Sequence, residues 1–310
     1  MPLCRTRDTS LSYLWLGASV AGEFDPIVLV HGLGSSLAFW YPVIAPALSQ
    51  NHRVLSLDLR GHGRSEITPS GYTSANLAAD LAALFSALGI RRAHIVGHSF
   101  GGSVGLAFAL QNPSAVKSLT LIDTRIRALQ PQAGPAPRRP GPPPRQRFGR
   151  LRAGLDEDIE PQASGIDFLT KIAEAKLRQP AGIKPFARTA SPSPFSGMAS
   201  KAAAARWLEL VRTTTLSADV AMPETTAIDQ IGRWKFPTLL LYGEYSHNTQ
   251  SAVALKQACS IARLETVAGA GHFFPLTRPD AVLAPLRRLL DRDALGPVLS
   301  SEDYTIVSDA

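Results

Sequence analysis

Short apolar runs recurring along the chain constrain its fold more than any other feature. Ile27-Val28-Leu29-Val30 is wholly apolar, which suits a strand buried on both faces. Val54–Leu57 runs into Asp58, His94-Ile95-Val96 runs into Gly97, and Leu119-Thr120-Leu121-Ile122 runs into Asp123. Between the second and third runs, Leu77, Leu81, Leu84 and Leu88 lie on one face of a helix. Gly89 follows where a C-cap favours positive φ. Strands alternating with helices in this way predict parallel β-α-β units. The pattern resumes late, with strands at Thr238–Tyr242 and Ala262–Val267, a helix over Ser251–Cys259 and an amphipathic helix over Asp280–Leu290 that contains Pro285.

The segment between these two stretches differs. From Gln130 to Arg152 it is rich in Pro, Arg and Gly, and proline removes backbone donors, so no regular element is expected there. Helix candidates follow at Asp167–Leu177 and Lys201–Thr213, separated by Ser191-Pro192-Ser193-Pro194. The expected organisation is a core made of 1–123 and 236–295, an insertion at 124–235 carrying the Pro/Arg-rich loop 130–152, and a polar tail at 296–310. With 310 residues, one domain plus an inserted unit is a natural size.

Composition excludes several classes. Hydrophobic residues at 45% and charged residues at 18% exclude global disorder. No run approaches the roughly 20 apolar residues that a membrane-spanning helix needs. The formal charge of +7 is local. Arg138, Arg139, Arg145, Arg147, Arg150 and Arg152 lie in a stretch without acids, Thr124–Leu155, and the rest is nearly neutral. No aromatic or glycine pattern of a nucleic-acid module accompanies them, so no nucleic-acid partner is expected. Cys4 and Cys259 lack metal-site spacing, so no metal is expected and two thiols are. Near the N-terminus, Ser12, Gly17 and Ser19 interrupt the apolar run and Asp8 sits among the basic residues. A β-hairpin fits better than a secretory leader, and a cytoplasmic location is expected.

Chemistry concentrates in Gly97-His98-Ser99-Phe100-Gly101, a G-x-S-x-G that follows an apolar strand and opens a helix running to Gln111. A sharp strand-to-helix turn would hold Ser99 at positive φ and lift its hydroxyl to the helix N-terminus, with Gly97 and Gly101 letting strand and helix pass. His31-Gly32-Leu33-Gly34 follows another strand. Its loop would face the same sheet edge, so the amides of Leu33 and Phe100 are candidates to hold an oxyanion, and the His31 side chain is read as structural. His272, in Gly269-Ala270-Gly271-His272-Phe273 after the last strand, is the candidate base.

With these motifs and Asp58-Leu59-Arg60-Gly61-His62-Gly63-Arg64-Ser65, the chain resembles the α/β-hydrolase fold superfamily in its esterase, lactonase and C–C hydrolase branch. The resemblance implies a mostly parallel eight-stranded sheet flanked by helices, with the insertion forming a helical cap. It also implies Ser99 as nucleophile, His272 as general base and no cofactor. One departure matters. Relatives usually carry the acid as G-x-x-D after the strand matching Thr238–Tyr242, and this chain reads Gly243-Glu244-Tyr245-Ser246. Asp123, at the end of the preceding strand, and Glu244 are the candidate replacements. A chain without an acid would be a non-catalytic binding protein.

A serine rather than a carboxylate nucleophile implies acyl transfer. The expected substrate is a small-molecule carboxylic ester, thioester or lactone, with C–C hydrolysis or cofactor-free perhydrolysis as readings on the same triad. Trp40, Phe168 and Trp207, with Phe186, Phe195 and Met198, are candidates to line a pocket, or to form core.

Overall fold

In the computed structural model, residues 1–17, 25–132, 165–178, 200–224 and 228–294 are described. Most of loop 130–152, the Ser191–Pro194 segment, Phe186, Phe195, Met198 and the tail 296–310 lie outside these residues.

Eight strands form one sheet in the order β1-β2-β4-β3-β5-β6-β7-β8. They are β1 (Leu3–Arg5), β2 (Ser10–Leu16), β3 (Ile27–Val30), β4 (Val54–Leu57), β5 (Ala93–His98), β6 (Val116–Ile122), β7 (Thr238–Gly243) and β8 (Ala262–Val267). β1 and β2 form the expected antiparallel hairpin, and β2 pairs antiparallel with β4; every other pairing is parallel. The helices are α1 (Ile44–Leu48), α2 (Ser74–Leu88), α3 (Phe100–Gln111), α4 (Ile166–Arg178), α5 (Ser200–Thr213), α6 (Leu216–Ala221), α7 (Thr249–Ala258), α8 (Phe274–Thr277) and α9 (Asp280–Ala294).

The wholly apolar β3 is buried at every position because it lies between β4 and β5 and is covered on both faces. Val28 and Val30 join a cluster with Leu81, Phe108 and Leu255, while Ile27 and Leu29 join one with Trp40, Phe274 and Leu286. Alternate residues thus serve opposite cores, and a one-residue slip would exchange them. Each fully buried aliphatic side chain contributes about 1.5–3 kcal/mol. At the start of α2 the Thr73 hydroxyl accepts from Asn76 N, and Gly89 closes the helix at φ 67°. Arg60 and Asp80 form a buried two-pronged ion pair, Nε–Oδ2 2.8 Å and Nη2–Oδ1 2.6 Å, which ties the loop after β4 to α2.

α4, α5 and α6, all between β6 and β7 in sequence, share a third apolar cluster containing Leu169, Trp207, Leu208 and Leu216 with Tyr72 of the core. Leu33 and Phe100 pack against it. Polar ties bind the same helices to the core: Arg206 donates to the Ser65 carbonyl, and Asp219 Oδ2 accepts from Tyr72 N at 2.9 Å.

Candidate active site

Strand register decides which loops meet. Val30 pairs with Gly97, His98 with Ile122 and Gly243 with Val267, so the loops after β3, β5, β6, β7 and β8 emerge at one sheet edge. Ser99 N donates to the Ile122 carbonyl at 2.9 Å and Asp123 N to the Leu241 carbonyl at 2.8 Å, extending the ladder by one residue on each strand.

Ser99 sits in the turn between β5 and α3 at φ 55°, ψ −124°. A Cβ on Gly97 would lie 2.4 Å from the Gly101 carbonyl oxygen, and one on Gly101 would lie 2.3 Å from that of Val30. Both clashes are with backbone, so the motif's two glycines are steric requirements of the turn. Gly32 serves a different purpose: a Cβ there would approach Ser99 Cβ at 3.0 Å, so its bare Cα lets the loop after β3 lie against the serine. Among the described residues, the N–H groups of Leu33 and Phe100 have no hydrogen-bond acceptor.

His272 Nε2 lies 3.1 Å from Ser99 Oγ, and His272 Nδ1 lies 2.8 Å from Asp123 Oδ1. Proton placement follows: a protonated Nδ1 donates to the carboxylate, leaving the Nε2 lone pair facing the hydroxyl. Of the two replacement acids, the structure therefore brings Asp123 to the histidine. Glu244 is exposed, and its carboxylate accepts from Gly269 N at 2.6 Å.

Asp123 is itself at positive φ, 47°, and fully buried. Its Oδ2 accepts from Gly243 N at 2.9 Å, and its Oδ1 accepts from Ser246 Oγ at 2.5 Å and Asn248 Nδ2 at 3.1 Å. Burial pushes this carboxyl up, but the hydrogen bonds and charge of His272, with the Ser246 and Gly243 bonds, outweigh it and hold the group below the usual carboxylate range. Ser246, at the position where the family resemblance leads one to expect an acid, is thus a donor to Asp123. Sequence reasoning marked Ser246 only as a missing carboxylate, and nothing in the sequence distinguished Asn248.

His98 precedes Ser99 in the motif. Its Nε2 donates to the His272 carbonyl at 3.0 Å, and its ring stacks on Phe39 at 4.7 Å. Burial and the neighbouring His272 push its pKa down to about 3, so it is neutral. His31 has the structural role expected of it: Nε2 accepts from Leu59 N at 3.1 Å and Nδ1 donates to the Gly32 carbonyl at 2.8 Å. Burial pushes its pKa down to about 4.

The candidate pocket aromatics separate. Trp40 has no exposed surface; it packs edge-on against Phe39 within the cluster around β3 and α9, and belongs to the core. The apolar side chains of Ile27, Leu29, Phe274 and Leu286 in the same cluster cover the ring, so its large apolar surface is removed from water there. Trp207 is buried within the cluster of inserted helices, its Nε1 donating to Thr170 Oγ1 at 3.2 Å, and builds that cluster. Phe168 is half-buried at the edge of the same cluster, where Phe100 and Leu33 also lie.

A mostly parallel sheet, a serine in a strained turn and a histidine and carboxylate at the same edge define a hydrolase. The chain belongs to the alpha/beta hydrolase fold family, whose sequence model matches residues 25–279. It is 42% identical over 100 residues to a putative carbamate hydrolase RutD of Variovorax paradoxus, a match covering 32% of this chain and 38% of that protein. The chain thus aligns with about two fifths of that relative's length. A hydrolase from Pseudomonas aeruginosa PA01 superposes with a TM-score of 0.62 at 28% identity, covering 93% of this chain and 97% of that one. An esterase from Rhodococcus sp. ECU1013 superposes with a TM-score of 0.66 at 23% identity, covering 94% and 98%, and shares the fold. Among the described residues, no helix is long and apolar enough to cross a membrane.

Proposed function

We propose that this hydrolase cleaves small carboxylic esters, thioesters or lactones through an acyl-Ser99 intermediate. The observation that carries the reading is the unbroken relay from Asp123 Oδ1 through His272 to Ser99 Oγ, at 2.8 and 3.1 Å. His272 Nε2 takes the hydroxyl proton as Ser99 attacks the carbonyl carbon, and Asp123 stabilises the resulting imidazolium. The amides of Leu33 and Phe100 receive the negative charge that develops on the carbonyl oxygen, a contribution of about 10²–10³ in rate per donor. His272 then returns its proton to the leaving oxygen or sulfur. Water, deprotonated by the same nitrogen, attacks the acyl carbon and releases Ser99 and the acid. No resident metal or organic cofactor is required by these steps.

The inserted helices act as the cap in this reading, since their apolar cluster reaches Leu33 and Phe100. Phe168 at its edge is proposed to contact an apolar part of the substrate. The likeness to a putative carbamate hydrolase favours a second substrate class, carbamates, which the same acyl-transfer steps would cleave. A missing acid at residue 246 would favour a non-catalytic binding role, and the Asp123 carboxylate beside His272 supports the enzyme reading instead.

The test is turnover of p-nitrophenyl esters of increasing acyl length, of lactones and of aryl carbamates. Ester or lactone hydrolysis with a pre-steady-state burst of p-nitrophenol supports the proposal. Turnover of carbamates alone moves the substrate class, and no turnover by folded protein of any of the three overturns it.

A further inference from the structure

The β7–α7 loop supplies hydrogen-bond donors to the Asp123 carboxylate, and those donors are organised. Asn248 Nδ2 bridges the Asp123 main-chain carbonyl at 2.9 Å and Oδ1 at 3.1 Å, so one amide ties this residue's backbone to its own carboxylate. Asn248 N donates to Ser246 Oγ at 3.0 Å, and Ser246 Oγ donates on to Asp123 Oδ1. Ser246 has no exposed surface and Asn248 very little. These bonds meet a residue at φ 47°, a conformation that costs a non-glycine residue on the order of 1–3 kcal/mol unless its surroundings fix it.

From this convergence we infer that Ser246 and Asn248 are positioning residues, which aim the Asp123 carboxylate at His272 and share its negative charge. The inference rests on the proposed Asp123–His272–Ser99 triad. Oδ1 faces three donors at once, Ser246, Asn248 and His272, so the charge available to the imidazolium is divided. Removing the Ser246 hydroxyl concentrates that charge on the His272 bond while loosening the aim of the carboxylate. The other titratable groups facing the pair are His98, from the β5–α3 turn, and Tyr242, from β7. Both are buried and neutral, so neither introduces a competing charge.

The experiment compares Ser246→Ala, Ser246→Thr, Asn248→Ser and Asp123→Asn with the native chain in kcat/KM for p-nitrophenyl acetate from pH 5 to 9. Ser246→Ala and Asn248→Ser are expected to lower kcat by about tenfold with little change in KM, the scale of one charge-assisted hydrogen bond. Ser246→Ala is further expected to move the acidic limb to higher pH, and Ser246→Thr, which restores the hydroxyl, to return both. Ser246→Ala and Asn248→Ser with native kcat and an unmoved limb, alongside an inactive Asp123→Asn, overturn the inference and leave the triad standing. An Asp123→Asn variant with native activity overturns the triad itself. Ser246→Ala deletes one oxygen without adding volume, so it remains a test if Asn248→Ser fails to fold.

Discussion

His98 Nε2 donates to the main-chain carbonyl of His272 across 3.0 Å, tying the residue before Ser99 to the residue that faces Ser99. The β5–α3 turn and the loop after β8 come from different strands, and this bond joins them directly. His98→Leu keeps a similar volume against Phe39 but gives up the ring stacking and leaves the His272 carbonyl without its donor. The expected result is a loss of about 1–3 kcal/mol in urea denaturation and a fall in kcat larger than any change in KM. Unchanged stability and kcat would show that the bond carries no strain or position.

Ser99 is held at φ 55°, a conformation that glycine adopts without penalty. Ser99→Ala and Ser99→Gly are both expected to be inactive. Ser99→Ala keeps the strain and removes no packing, so its Tm should match or slightly exceed that of the native chain. Ser99→Gly relieves the strain and should gain on the order of 1 kcal/mol. A Ser99→Gly variant less stable than Ser99→Ala contradicts the strained-turn reading.

The sheet and the serine–histidine pair were legible because their signals are local. A wholly apolar tetrapeptide such as Ile27–Val30 has few other places to go, and Ser99 sits where strand and helix signals abut. The acid was not legible to the same degree. Choosing between Asp123 and Glu244 depends on β6 pairing beside β7 and on which side chain turns inward, and no single segment encodes either. Asn248 was invisible for the same reason, since a polar residue after a strand looks like any loop residue until Asp123 is placed beside it. The short helix α6 carries only six residues, too few for a periodic pattern, and Trp40 could have turned toward either core or pocket.

Gly32 lies close enough to Ser99 that a Cβ would press on it at 3.0 Å and on the His98 carbonyl oxygen at 3.2 Å. Contacts this tight force small shifts, and the Leu33 amide is the next group along the chain. Gly32→Ala is expected to fold, with a change of about 1–2 kcal/mol, and to lose about 10²-fold in kcat through displacement of that donor. Native kcat in Gly32→Ala removes Leu33 from the oxyanion site.

Four buried histidines make stability depend on acid. Burial pushes His31 down to about 4, and His62, His94 and His98 down to about 3. Below their usual pKa near 6.5 the unfolded chain binds protons that the native state refuses, so stability falls as pH drops from about 6.5 toward 4. Each contributes up to about 1.4 kcal/mol per pH unit. Asp58 and Asp80, pushed up by burial, retain native protons and offset part of the loss only toward the acid end. Urea denaturation should therefore give a markedly lower unfolding free energy at pH 5 than at pH 7. Equal values at the two pH values would mean that these imidazoles accept protons without unfolding.

The most direct measurement is covalent capture of the proposed nucleophile, Ser99. The native chain is treated with a fluorophosphonate probe and the adduct is located by peptide mass spectrometry. The expected result is a single adduct on Ser99, absent in Ser99→Ala, strongly slowed in His272→Ala and slowed by orders of magnitude in Asp123→Asn. A folded native chain that takes up no probe, or a Ser99→Ala variant labelled as fast as the native chain, would show that no activated serine stands at this sheet edge.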